Sequence, residues 1–223
     1  MAAFDNGIAL GADGLELDVR LSRDGRVVVH HDRTLDRTTA LTGPIARCTA
    51  DELNDAAVPQ LSDVLGRHRD ARVIIELKEN RPEMARAVVD VVRAADAVER
   101  VCVGSFRLRV LRAVRGLEPA IATSAAREEV RWALYRSWCG WPVSRVAYAG
   151  YQVPEVAGRT RVVSPQFVRD AHAAGLAVQV WTVNTEDDAH RLLGWGVDAL
   201  ITDRPDRLVP LVLLSPPDAA VRD

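Results

Sequence analysis

Five side chains able to do acid, base or metal chemistry fall in two short stretches of this chain. Glu16 and Asp18 sit in GLELDVR, and His30, His31 and Asp32 close RVVVHHD. A third carboxylate, Glu76, and a cation, Lys78, end the run VIIELK. Residues two apart on a strand face the same side, so Glu16 joins Asp18 and Glu76 joins Lys78. An ionised carboxylate in a dry strand is costly unless it is paired, hydrogen-bonded or metal-bound. One reading pairs Glu16 and Asp18 with an arginine such as Arg20. The other gives Glu16, Asp18 and Glu76 one divalent cation. Oxygen-only donors suit a hard ion, Mg2+ or Ca2+, better than zinc. Lys78 would then neutralise a phosphate oxygen, or else snorkel to solvent.

The histidines depend on a turn. Only LSRDG separates Arg20 from Arg26, too little for a crossover helix, so the two runs predict an antiparallel hairpin. With Asp24-Gly25 as a two-residue loop, Asp18 faces His31 and Arg20 faces Val29. His31 then shares the carboxylate face and His30 does not; a slip of one residue reverses the choice. His31 becomes the candidate general acid or base, the alternative being a structural histidine bonded to Asp32. His30, His68, His172 and His190 read as structural or exposed. Trp181 ends VQVW, either as core or as an apolar wall for a small substrate. Thr202 and Asp203 are rim residues or a turn before Pro205. Trp132, Tyr135, Trp138 and Trp141 have helical spacing and predict a helix packed on the sheet, with a partner surface or lid as the alternative.

These residues need a frame. Apolar runs at 14–20, 26–31, 72–78, 100–105, 119–124, 146–153, 177–183 and 198–202 read as strands, most of them buried on both faces. Helices alternate with them. Ser164-Pro165 opens 165–174, Thr185 opens 185–193, Pro82 opens 82–95, and Ser62 caps 63–69. With no linker, this predicts one α/β domain over 1–210 and a tail over 211–223. The net charge of −2 gives no nucleic-acid surface, and no apolar stretch suffices for a membrane span. Three cysteines without a CxxC pair, and no basic leader, predict reduced thiols in a cytoplasmic protein.

The chain resembles the glycerophosphodiester phosphodiesterase family, a (β/α)8 barrel. The matching pieces are residues 2–39, VPQLSDVL, IIELK, SF, VQVWTVN and GVDALITDRPD, in family order over nearly the whole chain. The resemblance implies metal-dependent hydrolysis of glycerophosphodiesters to glycerol 3-phosphate and an alcohol. It implies metal ligation by Glu16, Asp18 and Glu76, catalysis by His31, and substrate contacts from Lys78 and Trp181.

One departure is large. Family members begin with a strand ending in His-Arg-Gly and a Glu-Asn-Thr segment. These carry a second catalytic histidine, a phosphate-contacting arginine and a glutamate near the metal. Neither piece is present, and counting the 26–31 run as the hairpin's outer arm leaves seven barrel strands where closure needs eight. Either Met1 is an internal methionine taken as the start, or the chain is a truncated, inactive relative. Weak turnover is expected of the chain as it stands. The alternatives are an inactive barrel binding phosphodiester or metal, and a phospholipase-D-like enzyme of the same fold. The expected partner is a small glycerophosphodiester, with homo-oligomers through exposed strand edges also in view.

Overall fold

The computed structural model describes residues 1–143 and 146–214. Helix α1 (Ala2–Ala9) leads into strand β1 (Gly14–Leu21), and a turn into β2 (Val27–Val29). On β1, Leu15, Leu17, Val19 and Leu21 are buried, while Glu16, Asp18 and Arg20 turn to the opposite face. After α2 (Ala50–Asp55) and α3 (Leu61–Arg67), β3 (Arg72–Leu77) repeats the pattern, burying Val73, Ile75 and Leu77. The expectation of strands apolar on both faces is therefore corrected. The outward face packs under helices, and the inward face is polar because it lines the mouth.

The rest alternates: α4 (Pro82–Ala94), β4 (Val101–Gly104), α5 (Leu108–Leu117), β5 (Ala122–Thr123), α6 (Arg127–Trp138), β6 (Gly150–Pro154), the small hairpin β7 (Val156–Ala157) and β8 (Thr160–Arg161), α7 (Pro165–Ala173), β9 (Ala177–Trp181), α8 (Glu186–Gly194), β10 (Ala199–Leu200) and α9 (Pro205–Leu214). Seven strands run parallel in the order β1-β3-β4-β5-β6-β9-β10, with β5 and β6 joined by a bridge between Ser124 and Gly150. This is a (β/α) barrel of the TIM type. Among the described residues no strand lies between β10 and β1. Among the described residues two large apolar clusters form, one around β1, β3 and β4 and one around β6 and β9, and a smaller third gathers Val28, Leu35, Ile45 and Leu53.

Helix punctuation follows side-chain chemistry. Ser164 accepts from Phe167 N ahead of Pro165, and Thr185 accepts from Asp188 N. The α3 cap is Gln60 rather than the expected Ser62, because Asp63 reaches back to Gln60 N at 3.3 Å. Helix α9 runs past residue 210 to Leu214, and 215–223 of the expected tail lie outside the described residues.

Two larger corrections concern the hairpin and the aromatic helix. The hairpin register is Val19 to Val29, Arg20 to Val28 and Leu21 to Val27, one residue from the expected pairing. Ser22 N donates to Arg26 O at 2.9 Å, so the loop holds three residues, Arg23, Asp24 and Gly25. Gly25, with φ +77°, supplies the left-handed position this loop requires. The four aromatics of α6 and its end do not pack on the sheet: Trp132 is 65% and Trp138 67% exposed, and Tyr135 and Trp141 are also exposed. Ala133, Leu134 and Ser137 form the buried side instead.

Candidate active site

Parallel pairing sets Asp18 beside Glu76 and Glu76 beside Gly104 at the C-terminal ends of β1, β3 and β4. Gly104 leaves room for this layer. A Cβ there would come 2.7 Å from Gln152 Oε1 and 3.5 Å from Glu76 Oε2. Lys78 continues the ladder through its N–H to Val19 O at 3.3 Å. Its ammonium lies 2.8 Å from Asp18 Oδ1 and 3.6 Å from Glu76 Oε1. The second distance is too long for a good hydrogen bond, and among the described residues Glu76 Oε1 is buried without a hydrogen-bond partner. Burial raises Glu76 above the usual carboxylate range. Glu16 is pushed up to about 7, first by burial and then by the charges of Asp18 and Glu76. Glu16 is exposed as a residue, but its carboxyl sits among the charges of Asp18 and Glu76, which Lys78 offsets in part.

Arg20 is not the carboxylates' partner. Its Nε and Nη2 donate to His31 O at 3.2 and 2.7 Å, clamping the loop after β2. The corrected register puts His30 opposite Asp18, with His30 N donating to Asp18 O at 2.9 Å. His30 is nonetheless buried, its ring held by Asp32 O at 3.1 Å and Thr38 Oγ1 at 2.9 Å. The strand ends at Val29, so period-two alternation no longer governs the two histidines. The His31 side chain is 63% exposed, and a proton on it would pull Glu76 down. Its Nδ1 lies 2.7 Å from Asp32 Oδ1, and Arg37 Nε donates to Asp32 Oδ2 at 2.6 Å. Arg37, with His31, holds Asp32 far below the usual carboxylate range. The second ring nitrogen, Nε2, is left free to move a proton.

An aromatic pair spans the mouth. Trp181 ends β9 and meets Phe106, two residues past β4, edge-to-face at 6.0 Å between centroids. Arg127, the first residue of α6, lies 5.1 Å over the Phe106 ring. On the rim beyond β10, Asn184 Oδ1 accepts from Thr202 Oγ1 at 3.0 Å and Asp203 N at 2.9 Å. Asp203 adds to the negative field at Glu16.

Glu16, Asp18 and Glu76 are the oxygen donors open to a divalent cation. No three such groups among the described residues stand close enough to hold one as they are, and Lys78 occupies the space between two of them. The partnerless Glu76 oxygen and the excess negative charge fit a hard cation. His68, beside Asp5, and His172, 2.9 Å from Asp198 Oδ2, belong to other parts of the fold. Sequence reasoning gives no role to Arg37, Phe106 or Arg127. Their only signal is position: an Asp-to-Arg spacing in one loop and the ends of two strands.

Comparison with known families places residues 1–207 in the Glycerophosphoryl diester phosphodiesterase family. The probable glycerophosphodiester phosphodiesterase 2 of Mycobacterium tuberculosis is 35% identical, over 93% of this chain and 82% of its own. A glycerophosphodiester phosphodiesterase of Caldanaerobacter subterraneus is 31% identical, over 95% and 90%. Among solved structures, an Oleispira antarctica phosphodiesterase in complex with the product sn-glycerol-3-phosphate superposes with a TM-score of 0.74 at 25% identity, over 95% of this chain and 89% of its own.

Proposed function

Since the chain belongs to the glycerophosphoryl diester phosphodiesterase family, whose members hydrolyse glycerophosphodiesters, we propose how this mouth performs that reaction and with what help. The observation that carries the reading is the gathering of Asp18, Glu76, Lys78 and His31 at strand ends of a mouth that the Phe106–Trp181 pair also lines. Hydrolysis joins a water oxygen to phosphorus and breaks one P–O bond. The departing alkoxide takes the electron pair and gains the proton that the attacking water gives up. His31 Nε2 is the atom that carries it, because Asp32 holds Nδ1. The Lys78 ammonium meets a phosphate oxygen, and Trp181 with Phe106 covers carbon-bearing parts of the substrate. Glu16, Asp18 and Glu76 would hold one divalent cation, Mg2+ or Ca2+. Bound there, it supplies positive charge against the phosphate.

Release of glycerol 3-phosphate from a glycerophosphodiester, followed by phosphorus NMR, tests this reading. Turnover is expected with Mg2+ or Ca2+, and it should fail in chelator and in Glu76→Gln. Undiminished activity in chelator would end the metal assignment. A second reading, phosphodiester binding without turnover, draws on the opening between β10 and β1 among the described residues, which leaves one side of the mouth unlined. The same assay on a version extended through a His-Arg-Gly strand separates the two. Activity that appears only in the extended version assigns the weakness to that opening.

A further inference from the structure

The aromatic pair carries a cation that, among the described residues, enters no ion pair. Among the described residues the Arg127 guanidinium has the Phe106 ring as its contact, and it enters no ion pair or side-chain hydrogen bond. The acid two residues along cannot neutralise it. Glu129 is bound to Arg115 at 2.7 and 3.0 Å and caps Ala126 N at 2.8 Å. Phe106 and Arg127 are exposed at the rim, while Trp181 is half-buried behind them.

Resting on the phosphodiesterase reading above, we propose that Phe106 and Arg127 set the choice of leaving alcohol, favouring uncharged or anionic alcohols over cationic ones. Glycerol phosphate is common to every substrate of the class. With its phosphate on Lys78, a diester would turn the part that varies toward the rim, where this pair stands. An aromatic face is the usual seat for a quaternary ammonium group, through attraction of the cation to the ring. Here Arg127 already lies over Phe106. An incoming trimethylammonium would meet an occupied ring and a like charge close by. A polyol such as glycerol or inositol meets guanidinium donors, and a carboxylate or phosphate meets an unspent positive charge.

The test is a pair of binding titrations on the full chain by ligand-observed NMR, with glycerophosphoglycerol and glycerophosphocholine as probes. Wild type should bind the neutral diester more tightly. Arg127→Gln should shift the ratio toward choline by about 3- to 10-fold, the scale expected from freeing one aromatic face for a cation and removing one like charge. Arg127→Lys, which keeps the charge, should hold the ratio near wild type. Arg127 is solvent-exposed, so circular dichroism should show both variants folded. A wild-type preference for choline, or a ratio unmoved by Arg127→Gln, overturns the inference and leaves the phosphodiesterase reading standing. Failure of wild type to bind either diester overturns both.

Discussion

Lys78 Nζ stands 2.8 Å from Asp18 Oδ1, between the carboxylates of two neighbouring strands. An ammonium there competes for the oxygens a divalent cation would use. Lys78→Gln is therefore expected to tighten Mg2+ or Ca2+ binding about 10-fold, while weakening phosphodiester binding. Calorimetry on the two proteins measures both. Weaker metal binding in the variant would show that Lys78 supports the ion rather than opposing it.

Asp32 acts through His31. It accepts at 2.7 Å from the ring and at 2.6 Å from Arg37. Asp32→Asn keeps the size but removes the charge that fixes which ring nitrogen carries the proton. We expect kcat to fall on the order of 10²-fold with KM little changed, and melting temperature within a few degrees of wild type. A large loss of stability with an unchanged kcat would reduce Asp32 to a loop anchor.

Gly104 is a spacing device. The Cβ of Gly104→Ala would sit 2.7 Å from Gln152 Oε1, a side chain that also donates to Gln179 at 2.9 Å. The layer must shift, at about 1–3 kcal/mol, and Glu76 shifts with it. Urea unfolding should show the loss, and metal titration a weaker site. Wild-type behaviour in both would mean the layer relaxes freely.

Tyr151 predicts alkaline lability. It is buried against Phe167 with centroids 4.9 Å apart, its hydroxyl 3.1 Å from that of Tyr148. Burial, then Tyr148, pushes its ionisation well above the ordinary tyrosine range. The folded state thus keeps a proton that the unfolded chain releases. Stability from this group is fully present below the unfolded tyrosine value, about pH 10, and is lost as pH rises further. Between about pH 8 and pH 11 wild type should lose on the order of 1 kcal/mol more than Tyr151→Phe. Parallel stability curves for the two would remove Tyr151 from the account.

The barrel and its acidic layer are legible in the sequence because both rest on local rules. Strand–helix alternation and the period of two put Glu16 with Asp18 and Glu76 with Lys78 without any coordinates. The hairpin is legible as a hairpin, but its register is one residue away from the expected one. Asp24-Gly25 satisfies both a two-residue and a three-residue loop, and only the Ser22–Arg26 hydrogen bond decides between them. The positions of His30 and His31 follow from the strand ending at Val29, a boundary set by His30 finding Thr38 in a later loop. Arg37 and Phe106 reach the mouth from separate loops and Arg127 from the first turn of α6, so no spacing along the chain could join the three. The aromatics of α6 carry a helical period that suits a buried or an exposed face equally, and the neighbours decide which.

The short β5–β6 junction around the Ser124–Gly150 bridge marks a seam. It separates a half-barrel holding every candidate metal donor from a half-barrel holding Trp181, each with its own apolar cluster. Backbone bonds cross it from Ala149 N to Thr123 O at 2.8 Å and from Ala125 N to Gly150 O at 2.9 Å, and Gln152 Nε2 reaches Cys102 Sγ at 3.6 Å. The Phe106–Trp181 contact crosses it at the mouth. A substrate held by Lys78 on one side and Trp181 on the other would act as a staple. Amide hydrogens along β5 and β6 should then exchange more slowly once the mouth is filled.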